Sequence, residues 1–258
     1  MSGCNSQDGN QDLRAQLLEL YTRLAQEPDA DFGWGKGKEN ARLLGYAEAW
    51  LNHLPDSVWE SAAAVGNPFS MGSIQIGETV VDIGCGSGAD ACVAALMVGK
   101  EGKVFGFDCT PAMIDKATKN AITSGLTQVV FQEAEMTALP LRDASADIVI
   151  SNGAINLASD KEPVVREVFR ILRPGGRLQI ADMVRDPSGT NSACCGGKES
   201  WADCVSGTLN PEVFLEILTK AGFPNVELVD FTTYRTSPNT IGALFRARKI
   251  GELFLDAS

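Results

Sequence analysis

The stretch TVVDIGCGSGAD, residues 79–90, sets an apolar β-branched run against three closely spaced glycines, Gly84, Gly86 and Gly88, and then opens into the helix-compatible ADACVAALMVGK. A strand that ends in a glycine turn and leads straight into a helix is the first half of a βαβ unit. Glycines there let the backbone come close to a ligand, and the helix start presents unpaired N–H groups to it. The spacing is G-x-G-x-G with Asp82 two positions ahead, whereas a nicotinamide dinucleotide fingerprint has G-x-G-x-x-G.

Downstream the same alternation continues through KVFGFDC, PAMIDKATKNAITSG, QVVFQEA, ADIVISNG, KEPVVREVFRIL and GRLQIADMV. Short β-branched runs separated by helical periods predict an α/β fold with a doubly wound, mostly parallel sheet covered on both faces. NPEVFLEILTKAGF, VELVDFTTYR and IGALFRARK then read as one more helix and an antiparallel edge pair. LRPGG, residues 172–176, reads as the turn into the fifth strand.

Upstream, Leu13, Leu17, Leu18, Tyr21 and Leu24 recur at helical spacing within 11–27, Gly33, Gly35 and Gly37 break the pattern, and 38–52 reads as a second helix. Residues 1–72 are therefore expected to form an N-terminal helical cap and lead-in, with 73–258 as the main domain. The aromatic residues Phe32, Trp34, Tyr46, Trp50 and Trp59 suit either a lid or the packing of that cap, and His53 reads as an exposed helix end.

The 258 residues are 44% hydrophobic and carry 22 Lys and Arg against 33 Asp and Glu, a formal charge of −11. Such a chain repels a phosphate backbone, so nucleic acid is not an expected partner. No apolar run approaches the ~20 residues of a membrane span, and the first residues lack the order of a signal peptide, so the expected location is cytoplasmic. Seven cysteines, unevenly spaced, make a poor disulfide framework; one histidine and no Cys-x-x-Cys pair give no preformed metal site. No motif speaks to oligomeric state.

The ends of the parallel strands carry the candidate binding residues, because open α/β sheets take ligands there. Asp108 closes the second strand, where a carboxylate accepts hydrogen bonds from ribose hydroxyls; as the bland alternative it caps the helix after it. Glu135 and Met136 follow the third strand and suit an adenine amine and an adenine face, and Asn152 ends the fourth. In this order and spacing Gly84–Gly88, Asp108, Glu135–Pro140 and LRPGG resemble the class I, Rossmann-like S-adenosylmethionine-dependent methyltransferases. The resemblance implies S-adenosyl-L-methionine as cofactor, held by Asp82, Gly84, Cys85, Gly86, Gly88, Asp108, Cys109, Met113, Glu135, Met136 and Asn152.

ARLLGY, GNP, DCTPAMIDKA, SNGAINL and CVSGTL resemble the arsenite methyltransferase family in particular. That family holds trivalent arsenic with three cysteine thiolates. Only one matches here, Cys204; Val65 and Gly153 stand at the other two positions. The resemblance therefore implies methyl transfer to a metalloid or other small-molecule acceptor with Cys204, helped by Cys194 and Cys195 of ACCGG in the acceptor loop 185–210 and by Asn152, as catalytic residues. Cys194 and Cys195 read equally as an exposed redox-sensitive pair or as functionally silent. The alternatives for the whole chain are a methyltransferase with a small organic acceptor and a cofactor-binding protein without transfer activity.

Overall fold

The computed structural model describes residues 6–189 and 207–251. The chain begins with helices α1 (Ser6–Gln26), α2 (Gly37–Leu43), α3 (Glu48–His53) and α4 (Asp56–Trp59). Then follow β1 (Thr79–Ile83), α5 (Ala89–Val98), β2 (Lys103–Asp108), α6 (Pro111–Thr123), β3 (Val129–Glu133), β4 (Ala146–Asn152) and α7 (Lys161–Ile171). The chain closes with β5 (Leu172–Arg185), α8 (Pro211–Lys220), β6 (Asn225–Phe231) and β7 (Thr240–Arg248).

One seven-stranded sheet runs in the order β3-β2-β1-β4-β5-β7-β6. The first five are parallel to their neighbours, and β7 runs antiparallel to both β5 and β6, which is the expected edge arrangement. Adjacent residues of β1 serve opposite cores. Val80 packs with Val104, Ile148 and the α5 residues Ala91–Ala95, whereas Val81 and Ile83 pack with Val149, Ile180 and the α7 residues Val164, Val165 and Val168. β1 is buried on both faces, so its sequence shows continuous apolar residues instead of alternation.

The N-terminal helices share a core with the sheet. Leu51, Leu54, Val58 and Trp59 join the α5 cluster, and Tyr46 makes edge-to-face contacts with Trp50, Trp59 and Phe69. The aromatic residues thus pack the cap, while Tyr46 and Trp59 also reach a cavity described below. The single helix expected over 38–52 is two, because the chain turns at Leu44–Ala47 with Gly45 at φ +81°. His53 is exposed at the end of α3, as expected.

LRPGG departs from its reading as a simple turn. Leu172 already pairs with Ala146, and pairing with β4 resumes at Ile148–Arg177, so 173–176 form a bulge within one long strand. Gly175 takes φ +82° there, and the bulge is pinned by Gly175 N–H to the Lys249 carbonyl and Lys249 N–H to the Gly176 carbonyl.

After β4 the chain makes a 3-10 turn at Ile155–Leu157, fastened from below by Asp182 on β5. The buried carboxylate accepts N–H bonds from Asn156 and Met183, and Lys161 donates to the carbonyls of Asn156 and Ala158. Burial pushes the Asp182 carboxyl up to about 6 against the opposing pull of these N–H groups and of Lys161. Because the folded value lies above the unfolded one, this group's contribution to stability is full below the ordinary Asp range and is lost as pH rises through about 6. The side-chain carboxyl carbon of Asp182 is expected to titrate near pH 6 by NMR, and Asp182→Asn to remove that slope from the stability profile; a midpoint in the ordinary Asp range would contradict this account.

Candidate cofactor and acceptor cavity

The strand order reverses between β1 and β4, which leaves a crevice outside their carboxyl ends. A cavity of about 450 Å³ occupies it, bounded by the glycine loop, by the ends of β2, β3 and β4 and by α1 on the solvent side. Leu17, Tyr21 and Leu24, three of the apolar residues that make α1 amphipathic, form part of that wall.

All three loop glycines have left-handed backbone, Gly84 at φ +69°, Gly86 at +50° and Gly88 at +83°. Their surroundings differ. A Cβ on Gly84 would lie 2.1 Å from Ala154 Cβ, and one on Gly88 2.7 Å from Phe131 Cζ, whereas one on Gly86 would meet nothing within 4 Å. Gly84 and Gly88 are therefore packing glycines, and Gly86 is the one that faces open space. Gly88 caps α5 and does not line the cavity; the other expected cofactor residues do.

Asp108 accepts from the Gly86 N–H at 3.0 Å and the Thr110 N–H at 2.8 Å, one on each oxygen. It both caps the chain entering α6 and steadies the glycine loop. Burial raises its carboxyl above the usual range against those hydrogen bonds. Glu135 and Met136 lie beyond β3, and Glu135 forms an ion pair with Arg14 of α1 across the cavity mouth.

Three described cysteines are free thiols. Burial, helped by nearby carboxylates, pushes Cys85 well up, Cys92 to about 12 and Cys109 to about 11, so none is poised as a thiolate. Cys194, Cys195 and Cys204 lie outside the described residues.

Asn152 is fully used within the protein. Its Oδ1 accepts from Val65 N–H at 2.9 Å, and its Nδ2 lies 2.9 Å from the Gly66 carbonyl, 2.9 Å from Asp90 Oδ2 and 3.0 Å from Tyr46 Oη. Tyr46 Oη in turn donates to Asp90 Oδ1 at 2.6 Å. Asp90 was not singled out from the sequence, although its place in the first turn of the helix after the glycine loop was available as a signal. Beside it Asp82 is 2% exposed with Oδ2 unpartnered; Ser87 Oγ and Trp59 Nε1, also on the cavity wall, lack partners too. Burial and mutual repulsion raise Asp82 well above the carboxylate range, and burial also raises Asp90.

Val65 and Gly153 come together. Gly153, at φ +69°, would place a Cβ 3.3 Å from Val65 Cγ1. Among the described residues no group of three or more His, Cys, Asp and Glu is arranged to hold a metal ion, and no helix is long and apolar enough to cross a membrane.

The fold and cavity define a Rossmann-like α/β protein with a ligand crevice at the switch point of its sheet. Residues 74–222, more than half of the chain, match the family model described as a methyltransferase domain, and the chain belongs to that family. It is 39% identical over 163 residues to an arsenite methyltransferase of Halobacterium salinarum, covering 63% of this chain and 41% of the relative. An arsenite methyltransferase of Aquipseudomonas alcaligenes is 30% identical over 213 residues, 79% of this chain and 60% of the relative. Among solved structures, an arsenic(III) S-adenosylmethionine methyltransferase from Chlamydomonas reinhardtii superposes with TM-score 0.59 at 26% identity, covering 84% of this chain and 74% of that one. The chain thus spans about two fifths to three fifths of the length of those curated relatives.

The contrast between the glycines is testable by urea unfolding. Gly84→Ala combines left-handed strain with a clash and is expected to cost roughly 2–5 kcal/mol; Gly86→Ala carries the strain alone and should cost about 1–2 kcal/mol. Equal losses would remove the packing role of Gly84.

Proposed function

We propose that the chain is an S-adenosylmethionine-dependent methyltransferase with a small acceptor, trivalent arsenic or a similar thiophilic metalloid being favoured. One observation carries the cofactor reading: groups suited to its parts line the cavity in sheet order. Glu135 and Met136 beyond β3 suit the adenine, Asp108 on β2 the ribose, and the Gly84–Gly86 turn after β1 the amino-acid end. The residues fit the group, since Gly86 leaves open space and Asp82 Oδ2, Ser87 Oγ and Trp59 Nε1 are buried polar atoms with no partner in the protein. When bound, the cofactor supplies an electrophilic methyl on a sulfonium. The chain's own part is to orient it and exclude water, with α1, Leu17 and Tyr21 closing the solvent side.

The acceptor reading is supported by the relatives named as arsenite methyltransferases and by Cys204, which stands at the one matching thiol position. In this reading Cys194 and Cys195 replace the thiols that Val65 and Gly153 lack. A second reading is favoured by one feature: Ala62, Ala63, Ala64, Gly153, Ala154 and Leu157 give the cavity an apolar stretch, which suits a small organic acceptor.

Asp108→Ala is expected to weaken cofactor binding by about 1.5–3 kcal/mol, the range for a hydrogen bond to a charged group. Calorimetry on a variant with wild-type circular dichroism measures it, and unchanged affinity removes Asp108 from the site. For the acceptor, reduced protein is expected to bind arsenite and to lose most of that affinity in Cys204→Ser, with smaller losses in Cys194→Ser and Cys195→Ser. Wild type that fails to bind, or three variants that bind as it does, transfers the assignment to the organic acceptor.

A further inference from the structure

The cavity is strongly one-signed. Asp82, Asp90, Asp108, Glu135 and Asp160 line it, and the one cation among the described residues of its wall, Arg14, is paired with Glu135 at the exposed mouth. At the floor, Asp82 and Asp90 are 2% and 9% exposed. Asp90 is held by Tyr46 and Asn152, which fix the carboxylate without neutralising it. Asp82 has an oxygen with no donor at all. A buried carboxylate left without a partner costs free energy unless something positive comes to it. Burial disfavours the charged forms of both acids, so a cation placed beside them favours those forms.

Among the described residues, the cavity wall around Gly153 carries no positive side chain to offset a negative charge. Ala62, Ala63, Ala64, Gly153, Ala154 and Leu157 line it. The Asn152 amide N–H groups and the Tyr46 hydroxyl, which could otherwise donate to an anion, are directed at Asp90 and neighbouring protein oxygens.

We infer that this floor admits acceptors that are electrically neutral as they react and rejects anionic ones, so that a positive charge stays beside Asp82 and Asp90 throughout the transfer. The inference rests on the methyltransferase reading and narrows its substrate class. The acceptor's lone pair forms the bond to the methyl carbon while the carbon–sulfur bond breaks, its electron pair remaining on the departing thioether sulfur. A neutral acceptor thereby takes up the positive charge that the sulfonium gives up. For uncharged arsenous acid, arsenic passes from the trivalent to the pentavalent state and the cation then loses a proton to water; a dialkyl selenide keeps the charge as a selenonium. An anionic acceptor would have to share the cavity with these acids and would discharge the floor's counter-ion.

The test has a binding arm and a transfer arm. By calorimetry, the sulfonium S-adenosylmethionine should gain over the uncharged thioether S-adenosylhomocysteine in wild type, and Asp82→Asn and Asp90→Asn should each shift that affinity ratio toward the thioether by about tenfold. Repeating the wild-type titrations in buffers of different ionisation enthalpy should show more proton release with the sulfonium, a readout that needs no variant. In the transfer arm, methyl-labelled cofactor is offered with arsenous acid and dimethyl selenide as neutral acceptors, and with selenite and thiophenolate as anionic ones. Label is expected on neutral acceptors at rates at least about tenfold above the anionic ones. Anionic acceptors labelled as readily as neutral ones, no label on any neutral acceptor, or no difference in proton release between the two cofactor forms overturns the inference while cofactor binding leaves the family reading standing. Failure of both cofactor forms to bind removes the methyltransferase reading itself.

Discussion

The carboxamide of Asn152 joins three parts of the chain that no backbone ladder connects. It sits at the last residue of β4, takes the N–H of Val65, and reaches the Gly66 carbonyl, the Asp90 carboxylate and the Tyr46 hydroxyl. Through it the sheet, the helix that follows the glycine loop and the N-terminal lead-in share one hydrogen-bonded node. Opening such a node leaves several buried groups unsatisfied at once, each at about 1–3 kcal/mol. That is why the 65–66 segment, further clamped by Thr232 Oγ1 on the Val65 carbonyl, holds a defined place directly after the cavity-lining Ala62, Ala63 and Ala64 without belonging to any strand. An amide suits the position because it both donates and accepts; Asp there would add a fourth negative charge beside Asp82, Asp90 and Asp108.

The parts of this arrangement that were legible in the sequence are those set by local chemistry. The βαβ alternation follows from side-chain period, and the glycine loop from the need for left-handed backbone between Ile83 and Ala89. Asp108 lies on the cavity wall, and it accepts the N–H of Thr110, the residue that itself stands at the start of α6. What the sequence concealed depends on partners far along the chain. The break at Gly45 falls inside a run whose apolar spacing suits one helix, and only the Asn67 side chain donating to the Gly45 carbonyl shows what fixes the turn. The bulge at 173–176 looks like a turn until the register with Ala146 shows that pairing began before it. Asp90 hides in an apolar helix as an ordinary first-turn acid, and Glu135 gives no sign that Arg14 will meet it.

Val65 and Gly153 illustrate the same difference in scale. In sequence they are two separate departures from a cysteine pattern. In the fold they come together, with Gly153 on the cavity wall and Val65 buried close to it. Gly153 is further constrained by its positive φ and by its N–H bond to the Ala181 carbonyl, so a side chain at that position would carry backbone strain as well as contact with Val65.

The electrostatics of the cavity then bear on how the acidic chain as a whole can take a ligand. A net charge of −11 spread over an exposed surface is screened by salt within about a Debye length, so it says little about any one site. Asp82 and Asp90 are a different case, because they are buried beside each other, and the hydrogen bonds from Tyr46 and Asn152 that orient Asp90 carry no charge, while Asp82 Oδ2 has no donor. Tyr46 stays a neutral donor to Asp90, since burial and the adjacent Asp90 hold its hydroxyl well above the usual phenol range. Relief must come from protonation or from a cation brought by the ligand. A site built this way reads the charge of what enters it, and that reading is made by residues of β1, α5 and the α2–α3 turn, which meet only because β4 brings Asn152 between them.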